Sequence, residues 1–389
     1  MKSGKLGINT ICTHIGEVED KQFKGAISPL FMSSSYAYED VDVKRYPRYF
    51  NTPNQEALCK KIAMLEKSES ALIFGSGMAA VSTTMLAFLH KGDHVLLPQT
   101  LYGGTYNFVV EEFHKFGIEY SFAEGFSKAD FAEKIQKNTK VIFVETPSNP
   151  LMRITDLEMI SKLAKQHGII TMIDNTFASP VNQTPADFGI DIMIHSATKY
   201  MGGHSDILAG AVAASEEHIK IIWNLAKNLG GSLSDYTVWL LERSMKTMVL
   251  RVKAQNKNAK KLSRWLEKHP LVEKVYYPRL KSHPDHELAK KQMKGYTGML
   301  SFEINESLNV DDFLKGLKMI KPSMSLAGVE STILSPAKTS HALLSPEERK
   351  RQNISDGLLR FSLGIEEAQD IIADLEGAFQ KVSKMENLK

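Results

Sequence analysis

The chain has 389 residues, 48 Lys and Arg against 45 Asp and Glu, a formal charge of +3, and two cysteines, Cys12 and Cys59. So even a charge balance argues against a nucleic-acid partner, two cysteines make no disulfide framework, and no apolar run reaches the roughly 18 residues that a membrane helix needs. The length exceeds what one hydrophobic core usually sustains, and MKSGKLGINT has no secretory apolar stretch, so the expectation is a two-domain cytoplasmic enzyme.

Residues 1–55 carry little regular pattern and are punctuated by Gly16, Gly25, Pro29, Pro47 and Pro53. A structureless stretch this long is unusual inside a compact domain, so it is expected to wrap a partner subunit or line a site. Within it Tyr46 and Arg48 stand two apart, and an extended backbone would point both the same way. Arginine suits a phosphate or carboxylate; the other reading is an exposed loop. Residues 54–68 have helical spacing. Ala71–Phe74 reads as a short strand, Gly75–Met78 as a permissive turn and Ala79–Leu89 as an apolar helix. Strand, glycine turn and helix start together make a phosphate cradle of free N–H groups, although GSG before a helix is often only a tight turn. Dinucleotide and Walker fingerprints are absent.

His94–Leu97 is the next strand, ending at Pro98, and LYGGT follows. Tyr102 there would lie flat against a planar ligand or simply pack. Residues 105–115 read as helix, 118–122 as strand, 131–136 as a short helix and Lys140–Glu145 as a strong strand. TPSNP after it holds Asn149, either orienting a ligand or only reversing the chain. Residues 155–167 form an amphipathic helix with a cap at Thr155 and Glu158 in its first turn.

The apolar run Ile169–Ile173 ends at Asp174, and Ile192–Ile194 opens into HSATKYMGGH, which carries Lys199. Parallel sheets place ligand groups at such strand ends. A lysine held against apolar surface has a depressed pKa and a nucleophilic amine, flanked here by the hydroxyls of Ser196 and Thr198. Acid and lysine together suit an aldehyde cofactor with a pyridine nitrogen; a surface lysine and a turn-capping acid are the plainer alternatives. Pro180 and Pro185 require any helix between the two strands to be short.

Gly210–Ala214 reads as strand, 216–228 as helix, 229–234 as loop and 235–268 as a long bent helix. The alternation of strands and helices from 71 to 214 marks an α/β fold with a mainly parallel sheet. The expected division is an N-terminal segment 1–55, a large domain 56–249 and a C-terminal domain 250–389. In the last, 272–278 and 298–305 are strands and 310–320 is helical. Lys321–Ala342, dense in small polar residues, looks unlike a core strand and more like a site wall. Arg360 alternates with Leu359, Phe361 and Leu363. Pointing inward it would grip a carboxylate bidentately; at a sheet edge it would do nothing. Residues 371–382 close the chain as a helix.

The motifs SGMAA, LYGGT, VETPSNP, IDNTFASP, HSATKYMGGHSD, SLAGVES and LLRFSLGIE together resemble the Cys/Met-metabolism family of pyridoxal-phosphate enzymes, from about residue 14 to about residue 380. That family includes cystathionine γ-synthase, the cystathionine β- and γ-lyases, methionine γ-lyase and O-acylhomoserine sulfhydrylases. The resemblance implies the type I transferase fold of aspartate aminotransferase, with pyridoxal 5′-phosphate as cofactor and no metal. It implies that Lys199 bonds the cofactor aldehyde, Asp174 pairs with the ring nitrogen and Tyr102 stacks on the ring and helps move protons. Gly77, Met78, Ser196 and Thr198 would hold the phosphate. Tyr46 and Arg48 would reach the phosphate of a neighbouring subunit, in a homotetramer of active dimers. Arg360 would hold the substrate carboxylate, assisted by Ser325 and Asn149. The expected reaction is carbon–sulfur cleavage of cystathionine or a related sulfur amino acid, by β-elimination, with γ-elimination or γ-replacement as the alternative. Three departures bear on that choice. YPRYFNTPN stands where the family more often has YSRxxNPT. Gly104 stands where methionine γ-lyases carry cysteine. Met324 stands where many γ-enzymes place a glutamate against the distal amino group of cystathionine, a charged contact methionine cannot make.

Overall fold

The computed structural model describes residues 6–339, 342 and 345–386. Residues 340 and 341, at the end of the expected site wall, lie outside them, as does the MKSGK start. Seven strands make the larger sheet: β1 (Ser70–Phe74), β2 (His94–Pro98), β3 (Glu119–Ala123), β4 (Thr139–Glu145), β5 (Ile170–Asp174), β6 (Ile192–His195) and β7 (Gly210–Ala214). Their order is β1-β7-β6-β5-β4-β2-β3. Only β7 runs against the rest, pairing antiparallel with β1 and β6. The interior parallel strands are almost wholly buried, as strands covered on both faces are, while the edge strand β3 is only partly covered. One layer of core, with Ile73, Ile142, Ile173 and Met193, lies on one face. Another, with Val141, Phe143, Met172 and Ile194, lies on the other.

The smaller sheet comprises β8 (Val272–Tyr276), β9 (Met299–Ile304), β10 (Lys321–Pro322), β11 (Thr332–Leu334) and β12 (Leu358–Ser362), in the order β10-β11-β12-β9-β8. It packs its own core around Phe302, Phe313, Phe361 and Phe379. The α/β class with a mostly parallel main sheet is therefore as the sequence indicates. Residue 250, the anticipated start of the last domain, falls inside the helix Met248–Leu266.

Several local expectations change. The first 55 residues hold a helix, Ile8–His14, whose Cys12 is fully buried. The long helix expected over 235–268 is two, Asp235–Met245 and Met248–Leu266. The cap of Leu157–His167 is Asp156, which accepts from Met159 N, and not Thr155. Thr332–Leu334, within the stretch read as unlike a core strand, is a fully buried strand. Between β5 and β6 lie only the short helix Ser179–Asn182 and the turn Pro185–Phe188, as the two prolines require.

Candidate active site

A cavity of about 580 Å³ opens at the carboxyl ends of the parallel strands. It lies where the strand order reverses between β2 and β4, the crevice in which open α/β sheets bind ligands. Among the described residues lining it, the charged ones are Glu145, Asp174, Lys199 and Arg360.

Lys199 sits four residues past the end of β6, in a turn fixed on both sides. Thr198 N donates to Ala209 O at 3.2 Å and Lys199 N to Ser196 O at 3.1 Å. Behind the turn the guanidinium of Arg251 donates to the carbonyls of Tyr200 (2.9 Å), Met201 (3.3 Å) and Ser244 (2.9 Å). The Lys199 amine donates to Ser325 Oγ at 2.7 Å. Burial, reinforced by the Arg360 charge, brings the amine down from 10.5 to about 8. The free base is the nucleophile, so capture of an aldehyde by the cofactor-free protein should rise with pH and level off above about 8. A midpoint near 10.5 would contradict this environment. The same shift means that the fold loses stability as pH falls from 10.5 to about 8, because the unfolded chain binds this proton more tightly.

Asp174 and Glu145 end adjacent strands and are register partners, so their side chains share the cavity face of the sheet. Asp174 Oδ1 accepts from Thr176 N at 2.9 Å. Withdrawal from water raises its pKa, against the pull of Thr176 and of His195. Glu145 is the site residue that the sequence reading missed. It accepts from Tyr102 N at 2.7 Å and Asn149 N at 3.2 Å, so one carboxylate ties the loop after β2 to the loop after β4. Burial and the neighbouring Asp174 push it up to about 8. Glu145→Ala should cost about 1–3 kcal/mol through the amides it strands. Urea unfolding of the cofactor-free protein measures this, and an unchanged midpoint would remove Glu145 from the scaffold.

Arg360 is 6% exposed and sits mid-sheet, β12 being paired on one side with β11 and on the other with β9, so the sheet-edge reading fails. Its Nη1 donates to Asn149 Oδ1 at 3.1 Å and its Nη2 to Ser325 O at 3.1 Å. Burial lowers it to about 10, which leaves it a cation at neutral pH. Ser325 is held at φ 77°, strained for a residue with a side chain, by bonds from Lys199 to its hydroxyl and from Arg360 to its carbonyl. Asn149 Nδ2 is buried without a partner on the cavity wall. It is a donor awaiting a ligand oxygen.

The helix Gly77–Phe88 starts at the opposite wall. Ser76 Oγ caps Ala79 N at 3.0 Å, leaving the Gly77 and Met78 amides as the free donors of the first turn. Gly77 is needed for closeness and not for a left-handed turn: a Cβ there would lie 2.8 Å from Ser196 Cβ. The Ser196 backbone is pinned by Thr176 Oγ1 at 2.8 Å. The Thr198 hydroxyl is engaged with Ala209, accepting from its N at 3.0 Å and donating to its O at 3.2 Å. Tyr102, 48% exposed, presents its side chain to the cavity. Tyr46 and Arg48 do not line it. Pro47–Tyr49 is a 3-10 turn and not the extended pair expected; Arg48 donates to Lys227 O and lies over the Tyr46 and Tyr49 rings at 5.5 and 5.2 Å. The cavity thus offers helix amides for an anion, an acid for a ring nitrogen, an amine for a carbonyl and a guanidinium for a second carboxylate. A flat phosphorylated aldehyde with a basic ring nitrogen fits that set.

Residues 9–380 match the family model described as Cys/Met metabolism PLP-dependent enzyme. The cystathionine gamma-lyase of Bacillus subtilis (strain 168) is 41% identical over 377 residues, covering 96% of this chain and 99% of that protein. The cystathionine beta-lyase MetC of the same organism is 40% identical over 364 residues, 92% of this chain and 93% of that protein. The crystal structure of cystathionine gamma synthase from Xanthomonas oryzae pv. oryzae in complex with aminoacrylate and cysteine superposes with a TM-score of 0.94 at 34% identity, covering 98% of this chain and all (100%) of that one.

Proposed function

The chain belongs to the Cys/Met metabolism family of PLP-dependent enzymes, and from that premise we propose that it is a carbon–sulfur lyase that cleaves cystathionine or a related thioether amino acid by β-elimination. Its cofactor is pyridoxal 5′-phosphate, which when bound supplies an electron sink for negative charge developing at the substrate α-carbon. The rest is done by the chain. Lys199 would carry the cofactor's aldehyde, and its Nζ would be the base that takes the substrate α-proton. Asp174 would face the ring nitrogen, and Tyr102 would cover the ring and assist proton movement. Gly77, Met78, Ser196 and Thr198 would hold the phosphate, Thr198 once its hydroxyl turned from Ala209. Arg360 grips the substrate carboxylate, with Asn149 and Ser325 fixing its orientation.

The observation that carries this reading is one amine, lowered to about 8, sharing a cavity with Asp174 and a buried guanidinium. The preference for β-chemistry rests on Met324. It is 71% exposed on the cavity wall, and no acidic side chain among the described lining residues stands beyond Glu145 and Asp174 to meet a distal ammonium. Relatives named for γ- and β-cleavage lie at 41% and 40% identity, so similarity does not choose between them. Product analysis does. Cystathionine and water should give homocysteine, pyruvate and ammonia. Cysteine with 2-oxobutyrate would assign γ-cleavage instead, and condensation of cysteine with an O-acylhomoserine would assign replacement.

In the same reading the enzyme is a cytoplasmic homotetramer in which Tyr46 and Arg48 reach the phosphate site of a neighbouring subunit. The exposed Phe23 (79%), Met32 (70%) and Tyr38 (70%) in the N-terminal segment give that segment apolar surface to cover. Among the described residues no helix is long and apolar enough to cross a membrane.

A further inference from the structure

On the face of the sheet opposite the cavity lies a buried acid that the chemistry above does not use. Glu66, just past the helix Pro53–Leu65, is fully buried, and His195, the last residue of β6, is 2% exposed. Glu66 Oε1 accepts from His195 Nε2 and, at 3.0 Å, from Asn175 Nδ2. Its other oxygen is buried with no partner. Asn175 is held further by Gln183, whose Nε2 donates to Asn175 Oδ1 at 3.0 Å, and by its own N–H to Ile194 O at 2.9 Å. A carboxylate stripped of water, with one oxygen unpaired, is costly unless its charge is answered by a cation, and among the described residues the titratable group hydrogen-bonded to it is His195.

The position of the pair is informative. Asn175 follows Asp174, and His195 precedes Ser196. The register pairs Asp174 with Ile194, so His195 lies one residue beyond the strand neighbour of Asp174, with its side chain on the other face. We propose that Glu66 and His195 form a buried charge pair that keeps the Asp174 carboxylate ionised through the sheet, and so act as positioning residues for the ring-nitrogen contact.

The groups facing Asp174 divide by face. On the cavity side stand Glu145 from β4, Lys199 from the turn after β6 and Arg360 from β12. Glu145 is an acid and competes for the same proton, while Arg360 acts on Glu145. On the far side stands His195, whose charge favours the ionised form of Asp174. The Glu66 carboxylate stands directly against that ring, hydrogen-bonded to Nε2. Remove the Glu66 charge and Asp174 keeps its proton to higher pH, so its hold on a protonated ring nitrogen weakens first on the acid side.

The inference rests on the reading that Asp174 faces the ring nitrogen, and the test separates the two. The dissociation constant of pyridoxal 5′-phosphate is measured from about pH 5.5 to about pH 9 on the wild type, Glu66→Gln, His195→Gln and Asp174→Asn. Gln at 66 keeps the acceptor oxygen and deletes only the charge. Affinity of the wild type should fall as pH drops. In Glu66→Gln and His195→Gln the fall should begin roughly one pH unit higher, the scale of one neighbouring charge, with affinity about tenfold weaker on the acid limb and convergence on the wild type in alkali. Glu66→Asp, which keeps the charge, should restore the wild-type profile. Uniform weakening at every pH, the mark of damaged packing alone, overturns the proposal, as does a profile identical to the wild type. If Glu66→Gln does not fold, His195→Gln decides by the same criteria. Asp174→Asn should bind weakly at all pH and keep only the fall below about pH 8 that Lys199 sets, without the part due to its own carboxyl. Should it keep the wild-type limb, the Asp174 reading falls and the inference with it; an altered Asp174→Asn beside an unchanged Glu66→Gln overturns the inference alone.

Discussion

Lys199→Ala should lower turnover of a sulfur amino acid by at least roughly 10³-fold, with the fold intact. The size follows from two functions lost together. Among the described charged groups of the cavity the amine is the one that can condense with an aldehyde, and it is the base best placed for the α-proton; a positioned general base alone contributes roughly 10²–10⁴-fold. Structural damage should be small, because the Lys199 side chain makes a single hydrogen bond, to Ser325. The turn itself is held by backbone bonds and by Arg251 from behind. In the absence of cofactor the variant should therefore unfold no earlier than the wild type at neutral pH, where the buried Lys199 charge costs the wild type stability. Retention of more than about a tenth of wild-type turnover would exclude Lys199 from the chemistry.

Arg360→Leu should lower kcat/KM on the order of 10²- to 10³-fold, with most of the loss in KM. Truncating one partner of a buried, hydrogen-bonded charge contact costs about 2–5 kcal/mol, and among the described lining residues the substrate carboxylate would keep no cation but Lys199. Arg360→Lys should recover little, since an ammonium cannot reproduce the fork that now spans Asn149 and Ser325. A loss confined to kcat, or full rescue by lysine, would mean that Arg360 tunes the site electrostatically without holding the substrate.

The parts of the site legible in the sequence were those whose signal is local. Asp174 and Lys199 each follow an uninterrupted apolar run, and Pro180 and Pro185 leave no room between them for a long helix, so neighbouring strands with adjacent ends follow. Arg360 showed itself by alternation, but its interior place depends on Ser301 and Leu334, its register partners on other strands, which no local pattern reveals. Glu145 ends its strand just as Asp174 does. It passed for a boundary residue because its meaning lies in the β4–β5 register and in two amides from separate loops. The backbone at Tyr46 and Arg48 was read as extended, whereas Pro47 starts a 3-10 turn between them. Thr155 was read as the cap one residue too early; Asp156 fills that place, accepting from Met159 N at 2.9 Å. The helix Ile8–His14, of seven residues, is too short for periodicity to register.

The central claim is that one amine, at position 199, carries the cofactor. The holoenzyme is treated with borohydride, digested and mapped by mass spectrometry. The account predicts one modified peptide, heavier by a reduced pyridoxyl phosphate and carrying the group on Lys199, and no modified peptide from Lys199→Ala. A pyridoxyl group found on any other lysine of the wild-type protein, with Lys199 free, would contradict it.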